Sequence, residues 1–254
     1  MRRLLFWTAL PFVLPQALIV RKTARRFAAA TGPEHGAVGC GKSFKVLAIG
    51  DSIIAGVGAS TLANALVGQV ASALAKPLAA RVEWQALGLI GADVRQILHE
   101  LITKLPQEPA DAIFVSAGVN DVTGLTRTRA WQRHLAALLQ ALHAHSPQAA
   151  IVILGLPPMQ RFPLLPQPLR TVIGLRAAIL DQVAIREIAL HPHAMHLPLK
   201  FEARPQDFSG DGYHPSEQSY AVLGLWVADA ILALKAAQAQ SKPSRFKQKR
   251  LETR

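Results

Sequence analysis

The chain has 254 residues, half of them apolar, with one cysteine and a formal charge of +12. That length and apolar content support a full core, and a lone Cys40 excludes intrachain disulfides and argues against a thiolate metal cage. The charge is terminal: residues 1–26 and 242–254 hold six Lys/Arg each and only one acid, Glu252, leaving 16 basic and 15 acidic residues between them, so the middle carries no footprint for general nucleic-acid binding.

Leu4 to Val20 is 17 residues without a charge, preceded by Arg2 and Arg3 and followed by Arg21, Lys22, Arg25 and Arg26. As a helix it would reach about 25 Å, short of a hydrocarbon core of about 30 Å. Pro11, Pro15 and Gln16 weaken a span further, and Ala28-Ala29-Ala30 follows the basic cluster, a poor fit to signal cleavage. Residues 1–30 therefore read as an anchor or interfacial segment, a signal peptide, or a docked or disordered arm. The expectation is membrane association through residues 4–20. The heavier basic flank favours a cytoplasmic domain, with export to the periplasm as the alternative. Residues 31–43 read as a linker.

From residue 44 the chain alternates. Val46 to Ile49 is a short apolar run, the pattern of a strand covered on both faces, and Gly50 ends it. A helix over Leu62 to Leu74 and a strand over Val82 to Leu87 follow. Asp93 is placed to cap a helix running to Lys104, with Val94, Ile97, Leu98 and Leu101 on one face. Ala112 to Ser116 is the third strand. Thr128 to His145 is a helix with Trp131, Leu135, Leu138, Leu139 and Leu142 in register, and Ala150 to Leu154 is the fourth strand. A helix over Thr171 to Leu190, a short fifth strand over Ala194 to Leu197 and a final helix from Ser216 to about Gln238 complete a domain over 44–240. A basic tail over 241–254 reads as disordered. The expected architecture is a three-layer α/β/α domain with a mainly parallel, five-stranded sheet.

In such a sheet the carboxyl ends of the strands share one edge, where ligands bind. Gly50-Asp51-Ser52 follows the first strand, Gly91 the second and Gly118-Val119-Asn120-Asp121 the third; Asp211-Gly212-Tyr213-His214-Pro215 precedes the last helix. Gly-Asp-Ser alone is also an ordinary strand-ending turn. The set, however, supplies what acyl transfer needs: a serine hydroxyl, a histidine to take its proton, and a carboxylate to fix the imidazole tautomer. The N–H groups of Ser52 and Gly91 and the Asn120 amide are the matching donors for an oxyanion.

These four blocks, in this order, resemble those of the SGNH, or GDSL-type, hydrolases, over about residues 45–235. The resemblance implies a flavodoxin-like sandwich and an ester-hydrolysing serine enzyme that uses no metal or cofactor. It assigns Ser52 as nucleophile, Gly91 and Asn120 as oxyanion donors, and Asp211 with His214 as the orienting carboxylate and base. Two positions depart from the pattern: Ile53 stands for the usual leucine after Gly-Asp-Ser, and Ala86 for an asparagine five residues before the second-block glycine.

The implied reaction is hydrolysis of a small-molecule or lipid ester through an acyl-enzyme. An acyltransferase or carbohydrate deacetylase using the same residues is the alternative, and a non-catalytic membrane-associated binding module is a further one. No Walker-type loop, dinucleotide fingerprint or Gly-x-Ser-x-Gly elbow is present. His191, His193 and His196 could be read as a metal cluster, but with no acid expected beside them and a strand following at once they read against a metal site. The loop Gly155 to Pro168 carries five prolines among apolar residues. It reads either as a stiff wall of an acyl pocket or lipid contact, or as a packed connector. Oligomeric state is not legible.

Overall fold

The computed structural model describes residues 2–23, 27–199, 202 and 204–241. The expected disordered tail thus falls, from residue 242 on, outside the described residues, as do Arg25 and Arg26 of the N-terminal basic flank. In order come α1 (Arg2–Thr23), β1 (His35–Val38), β2 (Lys42–Gly50), α2 (Leu66–Leu78), β3 (Ala80–Gly88) and α3 (Val94–Gln96). They are followed by β4 (Ala112–Ser116), α4 (Val119–Thr123), α5 (Thr128–His145), β5 (Ala150–Leu154), α6 (Leu169–Ile188), β6 (Ala194–Leu197) and α7 (Glu217–Ser241).

The strands form one sheet in the order β1-β3-β2-β4-β5-β6, parallel except for β1 against β3. The apolar runs alternate between two cores. Leu47, Ile49, Ile113, Val115, Ile151 and Ile153 face the side of α3, α5 and α6. Val46, Ala48, Ala112, Phe114, Ala150 and Val152 face α2 and α7. Both faces being dry, the central strands carry no polar alternation.

The sheet has six strands rather than five, because residues 35–38, expected as linker, form the antiparallel edge. A four-residue strand is too short to show a period. It is fixed instead by packing: a Cβ on Gly36 would come within 2.5 Å of the Trp84 indole, so only glycine lets that ring lie flat beneath β1.

Two helices also differ from expectation. The first begins at Leu66, since Leu62 N–H is taken by the Thr31 carbonyl (3.0 Å) and the segment before Leu66 is drawn into turns. At Asp93 the expected cap is present as a full capping box: its carboxylate accepts from Gln96 N–H (2.8 Å) and Gln96 Oε1 accepts from Asp93 N–H (3.3 Å). Beyond Gln96, however, regular winding gives way to a wide π turn over Ile97–Leu101 and a 3₁₀ turn over Ile102–Lys104.

The N-terminal helix lies along α6. Phe6 and Val13 are buried in the core, and Arg176 of α6, itself buried, sits 5.1 Å from the Phe6 ring centroid. Gln16 bonds the start of α6 at both ends of its amide, donating to Gln167 O (2.9 Å) and accepting from Leu169 N–H (3.1 Å). The polar residue that weakens α1 as a membrane span is therefore its fastening to the domain. The opposite face is apolar and open to solvent, with Leu4, Leu5, Phe12, Leu18 and Ile19 all more than half exposed.

Candidate active site

Gly50 is the pivot of the edge where the blocks converge. A Cβ on it would stand 2.1 Å from Ser116 O, so the close approach of β2 to the end of β4 requires glycine. Asp51 N–H then donates to Ser116 O (3.1 Å), and Leu89 N–H, from the loop after β3, donates to Gly50 O (2.9 Å). Three strand ends are thereby tied together before any side chain is considered.

Ser52 is half-buried on the turn that follows, and its Oγ lies 2.9 Å from His214 Nε2. His214 Nδ1 lies 2.6 Å from Asp211 Oδ2. The three side chains form one hydrogen-bonded line although 162 residues separate Ser52 from His214. Asp211 is buried and further held by Oδ1, which accepts from Ser209 Oγ (2.9 Å), Tyr213 N–H (2.8 Å) and His214 N–H (2.9 Å). Burial alone would raise its pKa, but the bonds from His214 and Tyr213 outweigh it and hold the carboxyl below its ordinary range.

Gly91 and Asn120 stand at the neighbouring strand ends. Gly91 is exposed with φ +80°, a turn conformation that favours glycine. Among the described residues, neither Ser52 N–H nor Gly91 N–H donates to a protein acceptor, so both remain available to a ligand. Asn120 Nδ2 donates one hydrogen to Ala92 O (2.9 Å), which ties α4 to the Gly91 loop and leaves its second hydrogen over. Ala86 sits inside β3, paired with Ala48, where a larger polar side chain would enter the core.

Several residues that shape the site were not singled out from sequence. Asp51 is buried beneath Ser52; its Oδ1 accepts from Ile53 N–H (3.1 Å) and Ser116 Oγ (2.9 Å), fixing the turn that carries the hydroxyl. Tyr220 of α7 donates to Val57 O (2.7 Å) at the far end of that turn. Ser116 and Tyr220 lie 65 and 163 residues from their partners, so no local signal marks them. The proline-rich loop is a packed connector that also reaches the edge of the site. Met159, Phe162 and Leu165 are buried in the core, and Phe162 also lines the cavity at Ser52 and packs edge-on against Phe208 and Tyr213 at 5.1 and 5.2 Å. Acids do lie beside the histidines near β6, contrary to expectation: Glu187 Oε1 is 3.6 Å from His191 Nε2 and Asp181 Oδ1 is 2.8 Å from His196 Nε2. His193 stands edge-on to His191 at 5.7 Å and is stacked on His143 at 3.7 Å, and among the described residues no three such groups are placed to share a metal ion. Parallel rings direct their lone pairs along parallel planes, not at one ion.

Two carboxyls behind the site are strained by burial. It pushes Asp51 up to about 6 and Asp121, which accepts from Val94 N–H at 2.9 Å, up to about 7. Unfolded, both would ionise near 3.8, so the folded protein keeps protons that the unfolded chain has released. Their contribution is full below the unfolded value and is lost as pH rises through the folded one. Asp121→Asn is expected to gain stability over the wild type, by up to about 3 kcal/mol more at about pH 8 than at about pH 5. Urea denaturation at the two pH values measures that difference; a pH-independent gap would exclude ionisation of Asp121 as its source.

The profile of the GDSL-like Lipase/Acylhydrolase family matches residues 48–222. A GDSL-like esterase of Mycobacterium tuberculosis is 27% identical over 185 residues, covering 70% of this chain; the chain spans only 58% of that relative's length. Among solved structures, a family 3 carbohydrate esterase of Clostridium thermocellum aligns over 77% of this chain and 99% of its own, with TM-score 0.58 and 18% identity. A lipase/acylhydrolase of Enterococcus faecalis covers 74% of this chain and 95% of its own, with TM-score 0.53 and 20% identity. These last two likenesses concern the fold.

Proposed function

The chain belongs to the GDSL-like Lipase/Acylhydrolase family, and from that premise we propose that it hydrolyses carboxylic esters through an acyl-enzyme on Ser52. The observation that carries the reading is the continuous line Asp211–His214–Ser52, with contacts of 2.6 and 2.9 Å. His214 Nε2 takes the Ser52 proton as Oγ bonds to the ester carbonyl carbon. The carbonyl oxygen, now an anion, is received by Ser52 N–H, Gly91 N–H and the free hydrogen of Asn120 Nδ2. As the tetrahedral adduct collapses, His214 returns the proton to the departing alkoxide. Water then repeats the sequence in reverse and releases the acid. Asp211 stays ionised throughout, holding the proton on Nδ1 and stabilising the imidazolium.

Labelling with a fluorophosphonate, followed by peptide mapping, tests this reading. Modification confined to Ser52, with turnover of p-nitrophenyl esters lost in parallel, is the expected result. A folded protein that neither labels nor turns over ester would favour a non-catalytic binding module.

We further infer that α1 lies flat on an anionic lipid surface. Its inner face is fastened to α6 through Phe6, Val13 and Gln16, and its outer face is apolar between Arg2 and Arg3 at one end and Arg21 and Lys22 at the other. An apolar face between cationic ends suits the headgroup boundary, and the anionic cytoplasmic leaflet is the surface such flanks fit. Flotation with phosphatidylglycerol-containing vesicles is expected to carry the protein, and plain phosphatidylcholine vesicles or Phe12→Glu/Leu18→Glu to reduce binding at least tenfold. Equal flotation in all three cases would overturn the assignment.

A further inference from the structure

A cavity of about 300 Å³ opens beside Ser52 and His214. Gly91 and Asn120 do not line it; its lining residues lie at the ends of β4 and β5, at Val119 and along α7. Its wall is mostly apolar, with Phe162, Leu199, Val222, Leu223 and Trp226 among the residues that line it.

The α7 side of this groove is a stripe distinct from the core-facing side of the same helix. Tyr220, Val227, Ala228 and Ile231 are buried against the sheet. Gln218, Val222 and Trp226, spaced four residues apart, instead line the groove, and Val222 remains 44% exposed. At that exposure Val222 packs little against the core and offers its side chain to the groove. At 1.5 Å rise per residue, Gln218 and Trp226 lie about 12 Å apart along the helix axis. Because α7 begins at Glu217, three residues after His214, Gln218 lies at its start and Trp226 about two turns further along its axis.

We propose that this groove binds the acyl chain of the substrate, that the chain is of medium length, about eight to ten carbons, and that Trp226 forms the end wall that sets the limit. An extended chain advances about 1.2 Å per bond, so about 12 Å accommodates eight to ten carbons. The assignment to the acyl rather than the alcohol side follows from the order of the reaction. The acyl group stays bonded to Ser52 Oγ while the alcohol leaves and water enters. A groove that begins at Ser52 and ends on an indole suits the part that stays; the solvent-facing side serves the parts that exchange. This inference rests on the ester-hydrolase reading of Ser52 and His214.

The test is the dependence of kcat/KM on acyl length, using p-nitrophenyl esters from acetate to palmitate. Each added methylene is expected to raise kcat/KM by up to about fourfold as far as eight to ten carbons, with a fall beyond. In Trp226→Ala the palmitate-to-octanoate ratio should rise at least tenfold. In Val222→Trp, at a half-exposed site that tolerates a larger ring, the decanoate-to-acetate ratio should fall at least tenfold. A flat profile, a maximum at acetate, or unchanged ratios in both variants would overturn the proposal. So would a length dependence that follows the alcohol of alkyl acetates instead of the acyl group.

Should no ester be turned over, decanoate binding to Ser52→Ala, followed by isothermal titration calorimetry, separates the two ideas. Binding weakened at least tenfold by adding Val222→Trp would keep the groove assignment without the chemistry. No decanoate binding would end it.

Discussion

Replacing Ser52 by alanine is expected to lower kcat for p-nitrophenyl ester hydrolysis by at least about 10³-fold, and His214→Ala by a similar amount. The loss is large because the two groups act in one step. A serine hydroxyl attacks at neutral pH only as its proton leaves, and at 2.9 Å His214 Nε2 is the acceptor in reach. Either change removes the same covalent route, so the double variant should be little worse than the singles. What survives is the contribution of bound substrate and oxyanion donors. Ser52 is only partly buried and fills no core, so Ser52→Ala should move thermal unfolding little, whereas His214→Ala also takes the partner from buried Asp211 Oδ2 and should cost about 1–3 kcal/mol without unfolding the domain. Steady-state kinetics with circular dichroism on the same samples distinguish lost chemistry from lost structure. Turnover within tenfold of wild type in either single variant would remove Ser52 and His214 from the mechanism.

Asp211→Asn is expected to cut kcat by about 10²–10⁴-fold and to cost stability as well. Asp211 accepts four hydrogen bonds, one from His214 Nδ1 and three at Oδ1 from Ser209, Tyr213 and His214 N–H. An asparagine has one accepting oxygen. If that oxygen serves the three Oδ1 donors, the NH₂ faces His214 Nδ1 and forces the proton onto Nε2. That tautomer presents a donor to Ser52 and cannot take its proton. If the amide is reversed, three donors meet an NH₂ group, at a cost of about 1–3 kcal/mol for each partner left unsatisfied. Imidazole nitrogen chemical shifts should report the changed tautomer alongside the fall in kcat. An Nδ1-protonated His214 with near-normal turnover would show that Asp211 is not needed for orientation.

The sequence carried much of this arrangement because its signals are local. Val46 to Ile49, Ala112 to Ser116 and Ala150 to Leu154 are short apolar runs without alternation, and each lies inside a sheet covered on both sides. Asp93 and Gln96 are three residues apart and make the cap their spacing suggests. Ser52, Asp211 and His214 could be named because they sit in turn-forming blocks at strand and helix ends, where a parallel sheet gathers its loops on one edge. Asp211 and His214, three residues apart, are within one turn, so their contact was close to a local prediction.

Other features depended on residues far apart in the chain. The edge strand at 35–38 is held by the Trp84 ring and not by any period of its own. The regular helix expected to Lys104 ends early although its apolar spacing is unbroken, since spacing reports which face is buried and not how tightly the backbone winds. Gln16 looked like a flaw in an apolar segment until Leu169, 153 residues away, supplied its partner.

By itself, then, the sequence determined the strand–helix alternation, the two-faced burial of the central strands and the identities of the residues at the strand ends, because each is written in a period or a turn signal a few residues long. The tertiary structure decided which strand lies at the edge, that α1 packs on α6, that Asp51 and Ser116 brace the serine turn, and that one stripe of α7 lines a groove at Ser52. Each of these is a contact between segments far apart in the chain, and burial and hydrogen bonding select such partners only once the topology has brought them within reach.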